Sequence, residues 1–253
     1  MNPGNVVLRV SGLRKAFGGL DAVSGVTFDV AAGEIVALIG PNGAGKTTCF
    51  NLVNGQLRPD AGTVMLNGER IDGLPPRVIA GKGVGRTFQV AATLASMTVR
   101  ENVQLALLAH DRAHAGIARP APSYRRREAD ALLERVRMSR FADMGCATLA
   151  YGDAKRVELA LALAGAPRLL LMDEPTAGMS PRSRGRAMQL AADLARQESI
   201  AVLFTEHDMD VVFEHADRVI VLDRGEIISE GTPDVVRADS HVQAVYLGED
   251  EAV

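Results

Sequence analysis

Residues Gly40-Pro41-Asn42-Gly43-Ala44-Gly45-Lys46-Thr47 satisfy the pattern G-x-x-x-x-G-K-[ST], and their flanks constrain the fold more than any other stretch. The apolar run Ile35–Ile39 enters the loop and reads as a buried strand. Thr48 to Val53 follows and opens a helix. A strand, a glycine-rich loop and a helix N-terminus in that order make a phosphate cradle, because backbone N–H groups and the helix dipole face one anion. Gly43 and Gly45 permit backbone torsions that a Cβ obstructs. Lys46 suits β/γ-phosphates and the Thr47 hydroxyl suits a magnesium ion. Gly40 through Thr48 are therefore the candidate nucleotide contacts. A glycine-rich turn with a chance Lys-Thr pair is the alternative, and the strand and helix in register argue against it.

At 253 residues the chain suits one large domain, or a domain with a substantial subdomain. Its net charge of −3 gives no global basic footprint, so no nucleic-acid partner is expected. No apolar run approaches the roughly 18 residues of a membrane span. The start, Met1-Asn2-Pro3-Gly4-Asn5, has neither the basic region nor the apolar core of a signal peptide. Cys49 and Cys146 form no metal-ligand spacing, and two isolated thiols indicate a reducing compartment. The expectation is a soluble, cytoplasmic protein.

Val6–Val10, Val26–Val30 and residues 63–67 read as strands of an N-terminal layer around the phosphate loop. From about Thr98 the pattern turns helical: residues 99–108 carry apolar positions at helical spacing. Residues 110–122, rich in Ala, Gly, Pro and Arg, read as a loop or loose insertion. Tyr124 to Phe141 resumes a helix with Leu132, Leu133 and Val136 on one face. Residues 90–158 thus form a helical subdomain within an α/β framework. Leu169-Leu170-Leu171-Met172 is continuous enough to be buried on both faces of a parallel sheet. Residues 183–197 form an amphipathic helix, and 200–204 and 219–222 supply further strands. Alternating strands and helices predict a mostly parallel sheet.

Asp173-Glu174 directly follows the apolar strand 169–172. In phosphate-loop enzymes a strand-terminal Asp holds magnesium, and the adjacent Glu174 is placed to orient and deprotonate water. An acidic pair after a strand also caps helices. The order Phe17, Gly40–Thr47, Gln89, Leu149–Asp153, Asp173-Glu174 and His207 resembles the ATP-binding-cassette (ABC) ATPases over essentially the whole chain. The resemblance implies a P-loop NTPase core with a mostly parallel sheet, an N-terminal antiparallel β layer and a helical subdomain, binding ATP and Mg²⁺. It makes Phe17 the aromatic stacked on adenine, and Gly18-Gly19 favour an exposed loop tip over a core phenylalanine. Gln89 becomes the link from the magnesium and water site to the helical subdomain, where its residue type alone reads as a solvated side chain. His207, after strand 200–204, becomes a γ-phosphate contact. His110, His114, His215 and His241 have no such context and read as surface residues.

Leu149-Ala150-Tyr151-Gly152-Asp153 stands where the family has Leu-Ser-Gly-Gly-Gln. By the resemblance, this turn binds the γ-phosphate of the ATP held by a second subunit. Gly152 keeps the key glycine, Ala150 removes a capping hydroxyl, and Asp153 adds negative charge near an anion. Ser180 stands where the loop after Glu174 has the family's usual Asp. Arg86-Thr87-Phe88-Gln89, Tyr151-Gly152, Ala177–Pro181 and Val245–Glu249 are similar to the branched-chain amino acid importer ATPases; residues 110–127, 60–63 and 73–76 agree.

The implied function is the ATP-hydrolysing subunit of such an importer, with membrane permeases, a second identical or paralogous cassette and, indirectly, an extracytoplasmic solute-binding protein as partners. It sits peripherally on the cytoplasmic face of the membrane. The alternatives are a urea or amide importer, a lipid or polysaccharide exporter, and a non-transport ABC ATPase. The last typically carries two cassettes, coiled coils or zinc insertions, and no such heptad or zinc pattern occurs here. Residues 111–140 hold eight arginines against four acids, either a solvated helical face or a side turned to permease loops and anionic lipid. Leu94, Met97 and Val99 are expected to line the permease groove. Cys49 reads as a small buried apolar residue rather than a reactive thiol.

Overall fold

Period-two alternation decides where each strand residue goes, because successive side chains leave opposite faces of a sheet. The structure, a computed structural model, describes residues 5–88, 92–111 and 124–250. Strands β1 (Val6–Phe17), β2 (Leu20–Ala31), β4 (Ala61–Leu66) and β5 (Glu69–Arg70) form an antiparallel sheet in the order β2-β1-β4-β5. A second sheet contains β3 (Ile35–Ile39), β6 (Val84–Thr87), β7 (Leu169–Asp173), β8 (Ala201–Thr205), β9 (Arg218–Asp223) and β10 (Glu226–Gly231). Its order is β10-β9-β3-β8-β7-β6, parallel throughout except for the β9–β10 hairpin.

The parallel sheet separates two hydrophobic cores. Val36, Leu38, Leu169, Leu171 and Leu203 face the antiparallel layer, together with α1 (Lys46–Val53) and the short α2 (Pro76–Gly81). Ile35, Ala37, Ile39, Leu170, Met172 and Phe204 face the helices on the other side. These are α3 (Val99–His110), α4 (Arg126–Arg135), α5 (Tyr151–Leu163), α6 (Pro181–Glu198) and α7 (Met209–His215). Burial on both faces is why the central strands read as unbroken apolar runs. Two helices, α8 (Pro233–Ala238) and α9 (Ser240–Asp250), close the chain. Among the described residues no helix is long and apolar enough to cross a membrane.

The expected architecture is present, with local corrections. The helix expected over 124–141 is shorter: α4 stops at Arg135 and Arg137 turns left-handed at φ 59°, leaving one 3₁₀ turn at Ser139–Phe141. Leu132, Leu133 and Val136 are buried as their spacing required. Val99 does not line a groove; it is fully buried where α3 begins, and only Leu94 of the expected trio is well exposed. A Thr98/Glu101 capping box fixes that start, so Val99 is pinned inward by the helix it opens. His215 is not on the surface: it ends α7 on its core side at 5% exposure. His110 is half-buried, its ring against Gly165, and His114 lies outside the described residues. The basic stretch is partly neutralised: Arg125 pairs with Asp111 and Glu128 inside it, and Arg135 pairs with Glu198 at the end of α6. Residues 112–123, most of the expected loose insertion, lie outside the described residues.

Candidate nucleotide site

The phosphate loop is forced into shape by its neighbours. Gly40 has φ 149°, and a Cβ there would sit 2.1 Å from the Leu222 carbonyl oxygen. Gly45, at φ 105°, would place one 2.3 Å from the Ala22 carbonyl oxygen. Only glycine fits either position. The Lys46 side chain is held over the loop by bonds from Nζ to the Gly40 carbonyl at 2.5 Å and the Pro41 carbonyl at 2.9 Å. Helix α1 has no side-chain cap and no acid in its first turn. Its first-turn N–H groups and positive dipole end therefore face an anion without competition from a capping side chain or an acid.

A cavity of about 200 Å³ opens in front of this loop. Asn42 through Thr48 line one side, Ala22 closes an end, and Glu174 and His207 stand opposite. Strand β7 delivers the acidic pair. Asp173 is its last residue, in register with Thr205 at the end of β8. Asp173 Oδ2 accepts from Arg86 at 3.1 Å and Oδ1 accepts from the Thr205 hydroxyl at 2.9 Å. Glu174 then turns left-handed at φ 45°, a conformation that costs of order 1–3 kcal/mol for a non-glycine residue. Its Oε1 lies 3.0 Å from His207 Nε2. An anion cradle thus faces a carboxylate hydrogen-bonded to an imidazole, the arrangement required to bind a phosphate chain and activate water beside it.

The family model for ABC transporters matches residues 23–177, a span containing the whole loop and the acidic pair. The chain belongs to the ABC transporter family. A second model, branched-chain amino acid ATP-binding cassette transporter, matches residues 226–252. The cassette is 41% identical over 251 residues to the high-affinity branched-chain amino acid transport ATP-binding protein BraF of Pseudomonas aeruginosa, covering 96% of this chain and 98% of that one. It is 39% identical over 252 residues to LivG of Escherichia coli, described in the same words, with the same coverage. The ADP conformation of MJ1267, an ATP-binding cassette of an ABC transporter, superposes with a TM-score of 0.86 at 31% identity, covering 96% of this chain and 99% of that one. The cassette MJ0796, dimeric and bound to ADP and Pi, superposes at 0.76 and 26% identity, covering 89% and 98%. The cassette described here is accordingly an ATP-binding, ATP-hydrolysing enzyme of the family.

Phe17 and Gly152 lie apart from the cavity. Phe17 sits at the tip of the β1–β2 hairpin, about half exposed, with Lys15 Nζ 5.6 Å from its ring centre. Gly152 lies in the first turn of α5, whose N-cap Ala150 makes no side-chain capping bond. The Tyr151 ring lies against the Gly178 turn of the loop that follows Glu174. Gln89 falls outside the described residues. Its neighbour Phe88 is held by α5: the N–H donates to Glu158 Oε1 at 2.8 Å, and the carbonyl accepts from Lys155, itself ion-paired with Glu158 in the interior. Cys49 is fully buried, and burial pushes its thiol up to about 12.

Sequence reasoning missed Arg86 as the partner of Asp173. Burial pulls the Arg86 guanidinium below its usual value, and the Asp173 carboxylate opposes that. It also passed over Thr205 and Glu206. The available signal was their position, two polar residues between a buried strand and a singled-out histidine.

Proposed function

We propose that this cassette is the ATPase subunit of an importer of branched-chain amino acids, working at the cytoplasmic face of the membrane on partner permeases. The observation that carries the reading is the match of residues 226–252 to the branched-chain branch, joined to high identity over nearly the full length of BraF and LivG. In this reading Lys46 and the backbone N–H groups of residues 42–48 hold the β- and γ-phosphates, with Gly40 and Pro41 shaping the loop, and Phe17 stacks on the adenine. Glu174 takes a proton from the attacking water, and His207, hydrogen-bonded to it at 3.0 Å, holds the carboxylate toward the γ-phosphate. Gln89 links this site to the helices 99–163.

The oxygen-only pair of the Thr47 hydroxyl and the Asp173 carboxylate fits Mg²⁺. That ion uses one or two protein oxygens plus substrate phosphates rather than a full protein cage, and no group of three metal-binding side chains occurs among the described residues. When bound, the ion would neutralise phosphate charge. Two cassettes close head to tail, with Gly152 of one meeting the γ-phosphate of the other. Closure moves the helices 99–163 and the permease segments seated near Leu94 and Met97. The domain division at residues 90–158 belongs to this same reading.

Two experiments test it. Glu174→Gln, which removes the base without changing shape, is expected to retain ATP binding and lose about 10²–10⁴-fold in turnover; hydrolysis near the wild-type rate would remove Glu174 from that role. Expression with its permeases in vesicles should support ATP-dependent leucine uptake. Uptake of urea or export of lipid in place of leucine would assign the cassette to another branch.

A further inference from the structure

The residues that shape the hydrolytic corner of the site do not line it. Strands β7 and β8 end in register at Asp173 and Thr205, and the chain then departs in two directions, to Glu174 on one side and to Glu206-His207 on the other. Two buried side chains at the end of β8 hold those departures together. Thr205 is 2% exposed. Its hydroxyl donates to Asp173 Oδ1 at 2.9 Å and accepts the Glu174 N–H at 3.1 Å, a bond shared with the Thr205 carbonyl at 3.2 Å. Glu206 is 5% exposed. Its Oε1 accepts from the Thr176 N–H at 3.0 Å and from the Thr176 hydroxyl, and its Oε2 accepts the His207 N–H at 3.0 Å.

One carboxylate therefore bridges the loop behind Glu174 and the backbone of His207. One hydroxyl bridges Asp173 and the left-handed backbone of Glu174. A buried carboxylate held by neutral donors is costly to desolvate, and a left-handed glutamate is strained; both persist only where surrounding bonds impose them. The bonds present are those that set the carboxylate of Glu174 against the imidazole of His207. We infer that Thr205 and Glu206 are positioning residues that fix Glu174 and His207 relative to each other for hydrolysis, an inference that rests on the reading of Glu174 as the base. Neither touches the nucleotide cavity, so they act on the rate of the bound complex rather than on ATP binding.

The test measures ATPase kinetics and thermal melting of the full chain for Thr205→Val, Thr205→Ser and Glu206→Gln, with Glu174→Gln as reference. Thr205→Val keeps the branched shape and deletes the hydroxyl. Glu206→Gln keeps the shape but presents an amide N–H₂ to one of the N–H donors. Misplacement of a catalytic group by about 1 Å costs about 10²-fold, so kcat should fall about 10–100-fold in both variants while KM for ATP stays within about twofold. Thr205→Ser, which restores the hydroxyl, should recover kcat to within about twofold. In the Glu174→Gln background Thr205→Val should cost little more, because residues acting as a unit are not additive.

A folded Thr205→Val with wild-type kcat overturns the inference. So does a loss that Thr205→Ser fails to rescue and that follows the melting temperature. If Thr205→Val does not fold, Glu206→Gln decides: wild-type kcat in that variant overturns the inference, and a kcat-only loss upholds it. Failure of the underlying reading looks different, since Glu174→Gln would then hydrolyse ATP normally whatever the other variants do.

Discussion

The phosphate loop and the turn at Leu149–Asp153 both bring a glycine to the start of a helix, yet they are built on opposite terms. In the loop the fold itself demands glycine: backbone oxygens lie 2.1 and 2.3 Å from where a Cβ would stand at Gly40 and Gly45. At Gly152 nothing lies within 4 Å of that position, and its φ is not left-handed. The neighbouring Tyr151 is 43% exposed. Steric need within the chain explains the first glycines and not the second. The difference supports an external reason for Gly152, a surface that must be approached closely by something else, as the head-to-tail reading requires.

Two substitutions test that contrast directly, and the loop should give the larger effect. Lys46→Ala removes a charge-assisted contact worth about 1.5–3 kcal/mol. ATP affinity measured by titration calorimetry should fall about 10–100-fold; unchanged affinity would deny the loop its role. Gly152→Val sharpens the other side. Open space and a helix-first-turn position mean the variant should melt like wild type and bind ATP with the same affinity as an isolated chain. Steady-state turnover should nevertheless drop about tenfold through lost closure of two cassettes. Weakened ATP binding by the isolated chain would show that the turn belongs to its own nucleotide site.

The smaller effects concern the two cores. Burial pulls His215 below its ordinary value near 6.5. The unfolded chain then binds the proton more readily, so the contribution of neutral His215 to stability is complete above about pH 6.5 and is lost as pH falls toward the folded value. His215→Leu should flatten the fall in melting temperature between about pH 7 and pH 5.5; an unchanged slope would assign that fall to other groups. Cys49 should do least of all. With its thiol pushed up to about 12 and its side chain fully buried beside the loop, a maleimide at neutral pH should leave ATPase activity intact. Rapid inactivation prevented by ATP would mean that this side of the loop opens in solution.

Much of the molecule was legible beforehand because the signals are local. The phosphate loop declares itself within eight residues, and the strand and helix beside it confirm the context. The helix at 181–198 was readable to within two residues because Met188, Leu190, Ala191 and Leu194 carry the period of a half-buried helix. The overlong helix at 124–141 failed for the complementary reason. Apolar spacing continues past Arg135, but Arg137 takes a left-handed turn that no residue type there announces.

Sequence alone determined which residue types could make a phosphate cradle and roughly where strands and helices must run, since each rests on neighbours within a few positions. Only the tertiary structure decided that Arg86 meets Asp173 across 87 residues, that Thr205 meets Asp173 across 32, that Glu206 bridges to Thr176 across 30, and that His215 turns inward. Those contacts exist because parallel strands end side by side at one edge of the sheet. A buried polar group there takes its partner from whichever strand end is adjacent in space, a relation that spacing along the chain does not encode.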